Sequence, residues 1–244
     1  MVSDAGPAGT PDASGMGGAV NFHDERASAW SAGYRQSDHF RRRAIDWQAV
    51  MDTYLARAMQ VLDAGCGAGD LSLIAANRGV ILTCVDGSPA MIREARRTLC
   101  GLVPTPAFHQ ADVRQLPLPD GSFDAVMASS VLEYVAPLDT ALKEFRRVLR
   151  AGGMLLCSLP NRKSLYRQIE GLAVRLTGRP AYRRHVNEDV YRADLDRQFK
   201  QAGFQVIECR PSGTPPLLGK SAVGDFAQRH ARLATMTLFV AEAV

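Results

Sequence analysis

The sequence predicts an α/β fold in which helices cover both faces of a doubly wound, mostly parallel sheet. Predicted helices alternate with predicted strands along most of the chain, as in proteins built on a parallel sheet. The strands are continuous apolar runs, such as residues 154–159, which indicates burial on both faces. A glycine-rich loop at residues 65–69 connects a strand to a helix. Ligands of such sheets bind at the carboxyl ends of the strands, where this loop lies.

The composition is that of one globular domain. The chain has 244 residues, of which 46% are hydrophobic and 22% are charged, enough for a substantial core. No apolar run approaches the ~20 residues that a membrane span needs, and the N-terminus lacks the order of a signal peptide, so we expect a cytoplasmic protein. The five cysteines are scattered without paired spacing, which favours reduced thiols over structural zinc or disulfides.

The N-terminal region has two parts. Residues 1–20 are rich in glycine, alanine, proline and serine, with almost no large apolar side chains. Such a segment cannot offset its ordering entropy, so the sequence predicts a disordered tail followed by one domain over residues 21–244. Aromatic side chains then return, and a basic run that ends at Arg43 lies in a helix predicted over about residues 40–59.

The glycine-rich loop has the properties of a cofactor-binding loop. Gly65, Gly67 and Gly69 allow positive φ angles and the approach of a ligand to the backbone without an intervening Cβ. Dinucleotide-binding loops have G-x-G-x-x-G spacing, whereas this loop has G-x-G-x-G. Asp63 and Asp70 would repel a diphosphate, but they suit a ligand that carries an ammonium and a sulfonium group. A glycine-rich turn without a nucleotide ligand is the alternative.

The stretch VLDAGCGAGD, residues 61–70, resembles the first motif of the class I S-adenosylmethionine (SAM)-dependent methyltransferases, and the resemblance extends from about residue 22 to the C-terminus. It implies SAM as the cofactor, S-adenosylhomocysteine (SAH) as the product, and an N-terminal cover over residues 21–59. In similar small-molecule methyltransferases an arginine of the cover helix contacts the carboxylate of the methionine part, and Arg43 has a comparable position. The alternative is a solvated basic face. In the loop, the resemblance implies cofactor contacts by Asp63, Gly65, Cys66 and Gly67.

The second strand, predicted over residues 80–85, is followed by an acid. Asp86 lies about 20 residues beyond the glycine loop, where a carboxylate can accept both ribose hydroxyls of the cofactor. The same acid would bind the ribose of NAD, so it does not separate the two cofactors. Ser88 and Pro89 are start signals for a helix that we expect to extend to about residue 99. The cofactor contacts expected in this region are Asp86, Gly87, Ser88 and Met91.

The third and fourth strands supply the remaining expected contacts. After the third strand, the family places an acid or amide on the amine of adenine and the next backbone N–H on a ring nitrogen. Asp112 and Val113 have these positions, with a turn role as the alternative for Asp112. The following strand resembles the family's fourth motif, so Ser129 should face the cofactor, and Glu133 and Tyr134 should lie near the reacting centre.

A metal-assisted mechanism is disfavoured. Some relatives, the ubiquinone-pathway O-methyltransferases, carry Glu-x-x-Glu-His after the fourth strand, which suits a hard metal ion or an acid–base cluster. The corresponding residues 130–134 are SVLEY, which lack one carboxylate and the histidine. We therefore expect no metal. For Glu133, a helix-start role is as good an interpretation as catalysis.

Residues 161–188 interrupt the alternation of strands and helices. Apolar residues recur there at helical spacing, and basic residues outnumber acids more strongly than in the whole protein, whose net charge is +4. Three roles remain open for this basic insertion: a lid over the substrate, a site for an anionic substrate or carrier, and a helix at a membrane surface. The charge is too sparse, and too poor in interleaved aromatic residues, for a nucleic-acid groove.

The rest of the chain is predicted to contain a helix at residues 189–202 and strands at residues 204–209 and 234–243. This order of strand, insertion and strand resembles the antiparallel hairpin that completes the seven-stranded sheet of Rossmann-like class I methyltransferases.

The resemblance implies methyl transfer by in-line displacement to a small-molecule acceptor, on oxygen, nitrogen or carbon of a quinone, lipid or specialised metabolite. His185 and Tyr134 are the candidate catalytic residues: a histidine titrates near neutral pH, and the tyrosine can hydrogen-bond the acceptor. A surface position is the alternative for His185.

Two other functions are considered: a protein or RNA methyltransferase, and a SAM-binding regulatory protein without transfer activity. Residues 128–131, ASSV, lack the N-P-P-Y pattern of amide or base N-methylation. The oligomeric state is left open.

Overall fold

The computed structural model describes residues 38–170, 194–213 and 232–244, together with Gly18, Val20, Asn21, Asp24, Val186, Asn187 and His230. Its elements in chain order are α1 (Asp38–Tyr54), β1 (Gln60–Ala64), α2 (Asp70–Ala76), β2 (Ile81–Asp86), α3 (Pro89–Thr98), β3 (Ala107–Gln110), β4 (Phe123–Ser129), a 3₁₀ turn (Leu132–Tyr134), α4 (Leu138–Val148), β5 (Leu149–Pro160), α5 (Leu195–Gln201), β6 (Phe204–Ser212) and β7 (Met236–Ala243).

The seven strands form one sheet in the order β3-β2-β1-β4-β5-β7-β6. Strands β1 to β5 pair in parallel, whereas β7 is antiparallel to both of its neighbours, β5 and β6. This arrangement confirms the predicted mostly parallel sheet with a C-terminal antiparallel hairpin.

Two of the element boundaries that differ from the sequence prediction do so for local reasons. Helix α1 ends at Tyr54 rather than near residue 59, because Ala58 has a positive φ of 68° and cannot continue a helix. Strand β5 begins at Leu149 rather than Met154. The pairing with β4 passes from Leu149 directly to Met154, and the intervening residues form a bulge in which Gly152 has a φ of 72°. The turn predicted there therefore lies inside the strand.

Helices bury apolar side chains on both faces of the sheet. On one face, Trp47 and Met51 of α1 pack with α2 and α3. On the other face, Phe145 of α4 and Phe199 of α5 fill the core, and the ring of Phe199 stacks on Phe239 at 5.5 Å between centroids. In the part of the chain that the structure describes, no helix has both the length and the apolar character to cross a membrane.

The strand order places a crevice between β1 and β4. The chain winds outward in one direction through β1, β2 and β3 and in the other through β4 and β5. The loops that leave the carboxyl ends of β1 and β4 consequently diverge and open a space at that edge of the sheet. The glycine-rich loop follows β1, so it forms one wall of this space.

Candidate active site

A cavity lies at the carboxyl ends of β1, β2 and β4. It encloses about 930 Å³ of empty space, part of which is open to solvent. That volume is in the range of sites for cofactors and small molecules. The predicted site residues that line it are Arg43, Asp63, Gly65, Cys66, Gly67, Asp86, Gly87, Met91, Val113, Ser129 and Tyr134.

The glycine-rich loop forms an open cradle at one side of the cavity. Gly65 and Gly67 have φ angles of 77° and 53°, which favour glycine. A Cβ on Gly65 would lie 2.2 Å from Cγ2 of Val131, so this position is filled by packing from the neighbouring loop. A Cβ on Gly67 would meet nothing within 4 Å. The backbone of Gly67 is therefore exposed to the cavity, as a loop that lies against a ligand requires.

Asp86 fixes the loop and lines the cavity. One carboxylate oxygen accepts a hydrogen bond from the backbone N–H of Gly67 at 2.9 Å, and the other accepts from the N–H of Ser88 at 2.9 Å. The pKa of Asp86 is raised by burial, and these backbone N–H groups oppose the shift. The carboxylate is held in place at the end of β2, where the sequence predicts a ribose contact.

Asp63 is the second acid of the cavity. It is buried, and the hydroxyl of Ser72 donates to its Oδ2 at 2.5 Å. Burial raises the pKa of Asp63 to about 6. The charge of Asp86 raises this pKa further, whereas the hydrogen bond from Ser72 and the charge of Arg43 lower it. A buried acid near an arginine, and open to a ligand, suits a cationic group such as an ammonium.

Arg43 reaches the cavity from α1, as predicted. Its Nη2 donates to the backbone oxygen of Ser129 at 3.0 Å and to the Ser129 hydroxyl at 2.6 Å. These hydrogen bonds connect the cover helix to the end of β4. Because the guanidinium lines the cavity, it can also bind an anionic group of a ligand.

Two predicted contacts have other partners in the structure. The carboxylate of Asp112 accepts from Nε and Nη2 of Arg114, at 2.9 Å and 2.6 Å, and from the N–H of Arg114 at 2.8 Å. The cavity is lined by the neighbours Ala111 and Val113 and not by Asp112. This geometry favours the turn interpretation, and an adenine contact by Asp112 stays a prediction.

Ser88 also lies behind the cavity wall. Its hydroxyl accepts from the N–H of Met91 at 3.0 Å, so it is the N-cap of α3. The helix-start signal in the sequence is confirmed, while direct contact of Ser88 with a cofactor stays a prediction.

Tyr134 and Glu133 occupy the 3₁₀ turn after β4. Tyr134 lines the cavity, whereas Glu133 is 5% exposed. Burial raises the pKa of Glu133 to about 7, and Arg43 and Arg167 are among the groups that oppose the shift. Its Oε2 has no hydrogen-bond partner among the residues that the structure describes. The turn thus places a buried carboxylate of near-neutral pKa beside the cavity.

Only the two ends of the basic insertion are described, residues 161–170 and 186–187. The N–H of Asn187 donates to the backbone oxygen of Glu133 at 2.7 Å, which attaches one end to the 3₁₀ turn. At the other end, Arg167 pairs with Glu170 at 2.9 Å. His185, predicted as a catalytic residue, lies outside the described residues, as does most of the insertion.

The N-terminal segment contributes a residue that the sequence did not indicate. Val20 lines the cavity, and it has helical backbone, as do Gly18, Asn21 and Asp24. The composition of residues 1–20 predicted a tail that ends at residue 20, and no motif marks Val20 as a site residue. Its role depends on where the chain returns to the sheet, which local sequence does not specify. Asp70, which the sequence analysis named with Asp63, also lines the cavity. The other lining residues outside the prediction lie within a few positions of predicted ones: Ala68, Leu71, Ala111, Ser130, Val131 and Val135.

Comparison with known proteins agrees with this site. A family model described as a methyltransferase domain matches residues 62–157. A malonyl-acyl-carrier-protein O-methyltransferase of Geobacter sulfurreducens is 36% identical over 191 residues, which cover 69% of this chain and 69% of that protein. An enzyme of the same name from Enterobacter lignolyticus is 34% identical over 144 residues, 56% of this chain and 55% of that protein. The chain thus spans about half to two thirds of the length of these relatives.

Among solved structures, a 1,6-didemethyltoxoflavin-N1-methyltransferase of Burkholderia thailandensis with bound SAH has a TM-score of 0.61 at 17% identity, and the match covers 98% of this chain and 94% of that one. This likeness concerns the fold.

The fold and these matches together define an enzyme of the methyltransferase type. The chain belongs to the class I SAM-dependent methyltransferases. Its cofactor is SAM, and Gly67, Asp86 and Arg43 are among the residues that line the cavity. Among the described residues, no group of three or more His, Cys, Asp or Glu side chains is arranged to hold a metal ion.

Proposed function

We propose that this enzyme transfers the methyl group of SAM to an oxygen, nitrogen or carbon atom of a small-molecule acceptor. The observation that carries the proposal is one cavity that joins the cofactor cradle to the 3₁₀ turn after β4. Gly67 and Asp86 line one part of it, and Tyr134 and Val135 line another. Cofactor and acceptor can therefore share one enclosed space, as direct transfer requires.

The cofactor end of the cavity supplies partners for each part of SAM. Asp86 would accept the ribose hydroxyls, and the backbone N–H of Val113 would bind the adenine ring. Arg43 would bind the carboxylate of the methionine part, and Asp63 would face its ammonium group. SAM supplies an electrophilic methyl group on its sulfonium sulfur. The protein's contribution is to orient the acceptor toward that group and to exclude water.

One described end of the basic insertion, at Asn187, lies beside the acceptor end of the cavity. We propose that the insertion acts as a lid, because its described end at Asn187 is hydrogen-bonded to the 3₁₀ turn beside the cavity. Contact with an anionic acceptor or a membrane surface is the alternative, and a cytoplasmic location stays a prediction. Tyr134, which lines the cavity, would hydrogen-bond an acceptor. His185 stays a candidate base. Unchanged turnover in His185→Ala would exclude it as the base.

An SAH-release assay tests the proposal. The full chain is incubated with SAM and a panel of phenols, catechols, primary amines and carboxylic acids, and SAH is quantified. We expect SAH above the acceptor-free rate for at least one class of small molecule. Release of SAH only with a protein or RNA acceptor would contradict the small-molecule proposal, and binding of SAM without release with any acceptor would indicate a regulatory protein. As a control, Asp86→Ala should abolish release, because it removes the proposed ribose contact.

A further inference from the structure

The described residues of the N-terminal segment lie over one end of the cavity. Cγ2 of Val20 is 3.0 Å from the position that a Cβ on Gly87 would occupy. Val20 lines the cavity together with Gly87, Ala111 and Val113, which lie after β2 and β3. The proposed function assigns the adenine ring to Val113 and the ribose to Asp86, the neighbour of Gly87. Val20 therefore lies at the adenosyl end of the proposed cofactor site.

A second residue of the segment attaches it to α3. Oδ1 of Asp24 accepts a hydrogen bond from the Ser88 hydroxyl at 2.5 Å and another from the N–H of Ala90 at 2.9 Å. The N–H groups of the first turn of a helix lack partners within the helix, and the positive end of the helix dipole favours a carboxylate there. The hydroxyl of Ser88 accepts from Met91 while it donates to Asp24, so the two residues cap α3 together.

The pKa of Asp24 is consistent with this attachment. It is lowered, first by the hydrogen bond from Ser88 and then by that from Ala90. The carboxylate is thus ionised at neutral pH, the form that the helix N-terminus binds best.

We infer that Asp24 is a positioning residue that holds Val20 over the adenosyl end of the cavity and thereby slows the exchange of SAM and SAH. The inference rests on the proposed placement of the cofactor. Asp24 acts by attaching the segment to α3, four residues after Val20. A replacement should therefore change how long the product stays bound and leave the contacts of Asp86 and Arg43 in place.

The test compares three variants of the full chain by the rate at which SAH dissociates, measured by stopped-flow displacement with excess SAM. Asp24→Ala removes both hydrogen bonds, and we expect the dissociation rate to rise about fivefold, the factor that corresponds to loss of an average helix cap. Asp24→Asn keeps an acceptor oxygen at the cap and should restore most of the slow rate. Val20→Gly removes the cover without touching the cap and should raise the rate as well.

The matched control is Asp194→Ala. Asp194 caps α5 through the N–H of Arg197 and is not among the residues that line the cavity. Its loss should lower the melting temperature by a few degrees without any change in SAH dissociation.

An unchanged dissociation rate in Asp24→Ala, or an equal increase in Asp194→Ala, would overturn the inference. If the unmodified chain does not bind SAH, the proposed function fails first, so the two failures are distinguishable.

Discussion

The cofactor end and the acceptor end of the cavity differ in how they are built. At the cofactor end, backbone geometry and buried acids form a cradle: Gly67 is exposed to the cavity, and Asp86 is fixed by two backbone N–H groups. At the acceptor end, Tyr134 lies on a short 3₁₀ turn beside an insertion. The cofactor is the same throughout the family, whereas acceptors differ. In the proposed function, the end of the cavity that follows the glycine-rich loop would therefore hold the shared cofactor, and the end at the 3₁₀ turn would hold the variable acceptor.

The largest effect is expected from Gly65→Ala in the cradle. The positive φ of 77° and the overlap of the new Cβ with Val131 should together cost about 2–5 kcal/mol of unfolding free energy and abolish SAH binding. Gly121→Ala is the matched control, because Gly121 has a φ of 55° but nothing within 4 Å of a Cβ. It should cost only about 1–2 kcal/mol. Equal losses of stability in urea titrations would show that contact with Val131 does not shape the cradle.

At the acceptor end, Glu133 should make stability depend on pH. Its pKa is raised to about 7 from 4.5, so the native protein retains a proton that the unfolded chain releases. The contribution of Glu133 to stability is therefore largest below pH ~4.5 and is lost as the pH rises through about 7, by up to roughly 3 kcal/mol. Glu133→Gln should flatten this part of the profile in urea titrations at several pH values.

Glu144→Gln provides a control of opposite sign. The pKa of Glu144 is lowered, mainly by the hydrogen bond from Arg147, so its contribution to stability is present above its unfolded pKa and lost as the pH falls.

If Glu133→Gln leaves the dependence of stability on pH unchanged, the Glu133 carboxylate is ionised at neutral pH and the assignment of a protonated form is wrong.

Arg43→Ala tests which part of the cofactor its guanidinium binds. Loss of a charge-assisted contact of about 1.5–3 kcal/mol should weaken SAH binding about 10- to 100-fold in calorimetric titrations. Binding of adenosine, which lacks the methionine part, should be unaffected. Arg41→Ala, at an exposed position of the same helix, is the control and should leave both affinities unchanged. If Arg43→Ala weakens the binding of adenosine as much as that of SAH, Arg43 either acts at the adenosyl end or stabilises the fold.

The smallest effect is expected from Asp112→Asn. The carboxylate is paired with Arg114 and does not line the cavity, so SAH affinity should change by less than about threefold, while stability decreases by about 1 kcal/mol or less. A tenfold weaker affinity for SAH in a calorimetric titration would restore the adenine contact that the sequence predicts for this residue.

The fold and the cofactor end could be predicted because they depend on local patterns. Continuous apolar strands and the spacing of Gly65, Gly67 and Asp86 determine which element ends where, and the parallel sheet then brings these ends together. The exact ends of elements depend on longer-range packing. The glycines before Met154 indicate a turn in the sequence, and only the pairing with β4 shows that it is a bulge inside the strand.

The remainder of the site depends on contacts between residues that are distant in the sequence, or on side chains that compete with a ligand for the same group. Asp112 has the expected position, but Arg114, two residues later, binds its carboxylate. Spacing alone does not show whether a carboxylate pairs with a neighbouring arginine or with a ligand. Val20 and Asp24 lie in or beside a segment whose composition indicates a tail, and their contacts with Gly87 and Ser88 join positions more than 60 residues apart. Tertiary contacts of this kind leave no local signal.

A calorimetric titration of the full chain with SAH and with NAD tests the central claim most directly, that the cradle after β1 and the acid after β2 form one adenosyl site. We expect SAH to bind and NAD not to bind. Asp86→Ala should weaken SAH binding at least tenfold, while its melting temperature shows that the variant is still folded. Binding of NAD, or an SAH affinity that is the same in Asp86→Ala as in the unmodified chain, would contradict it.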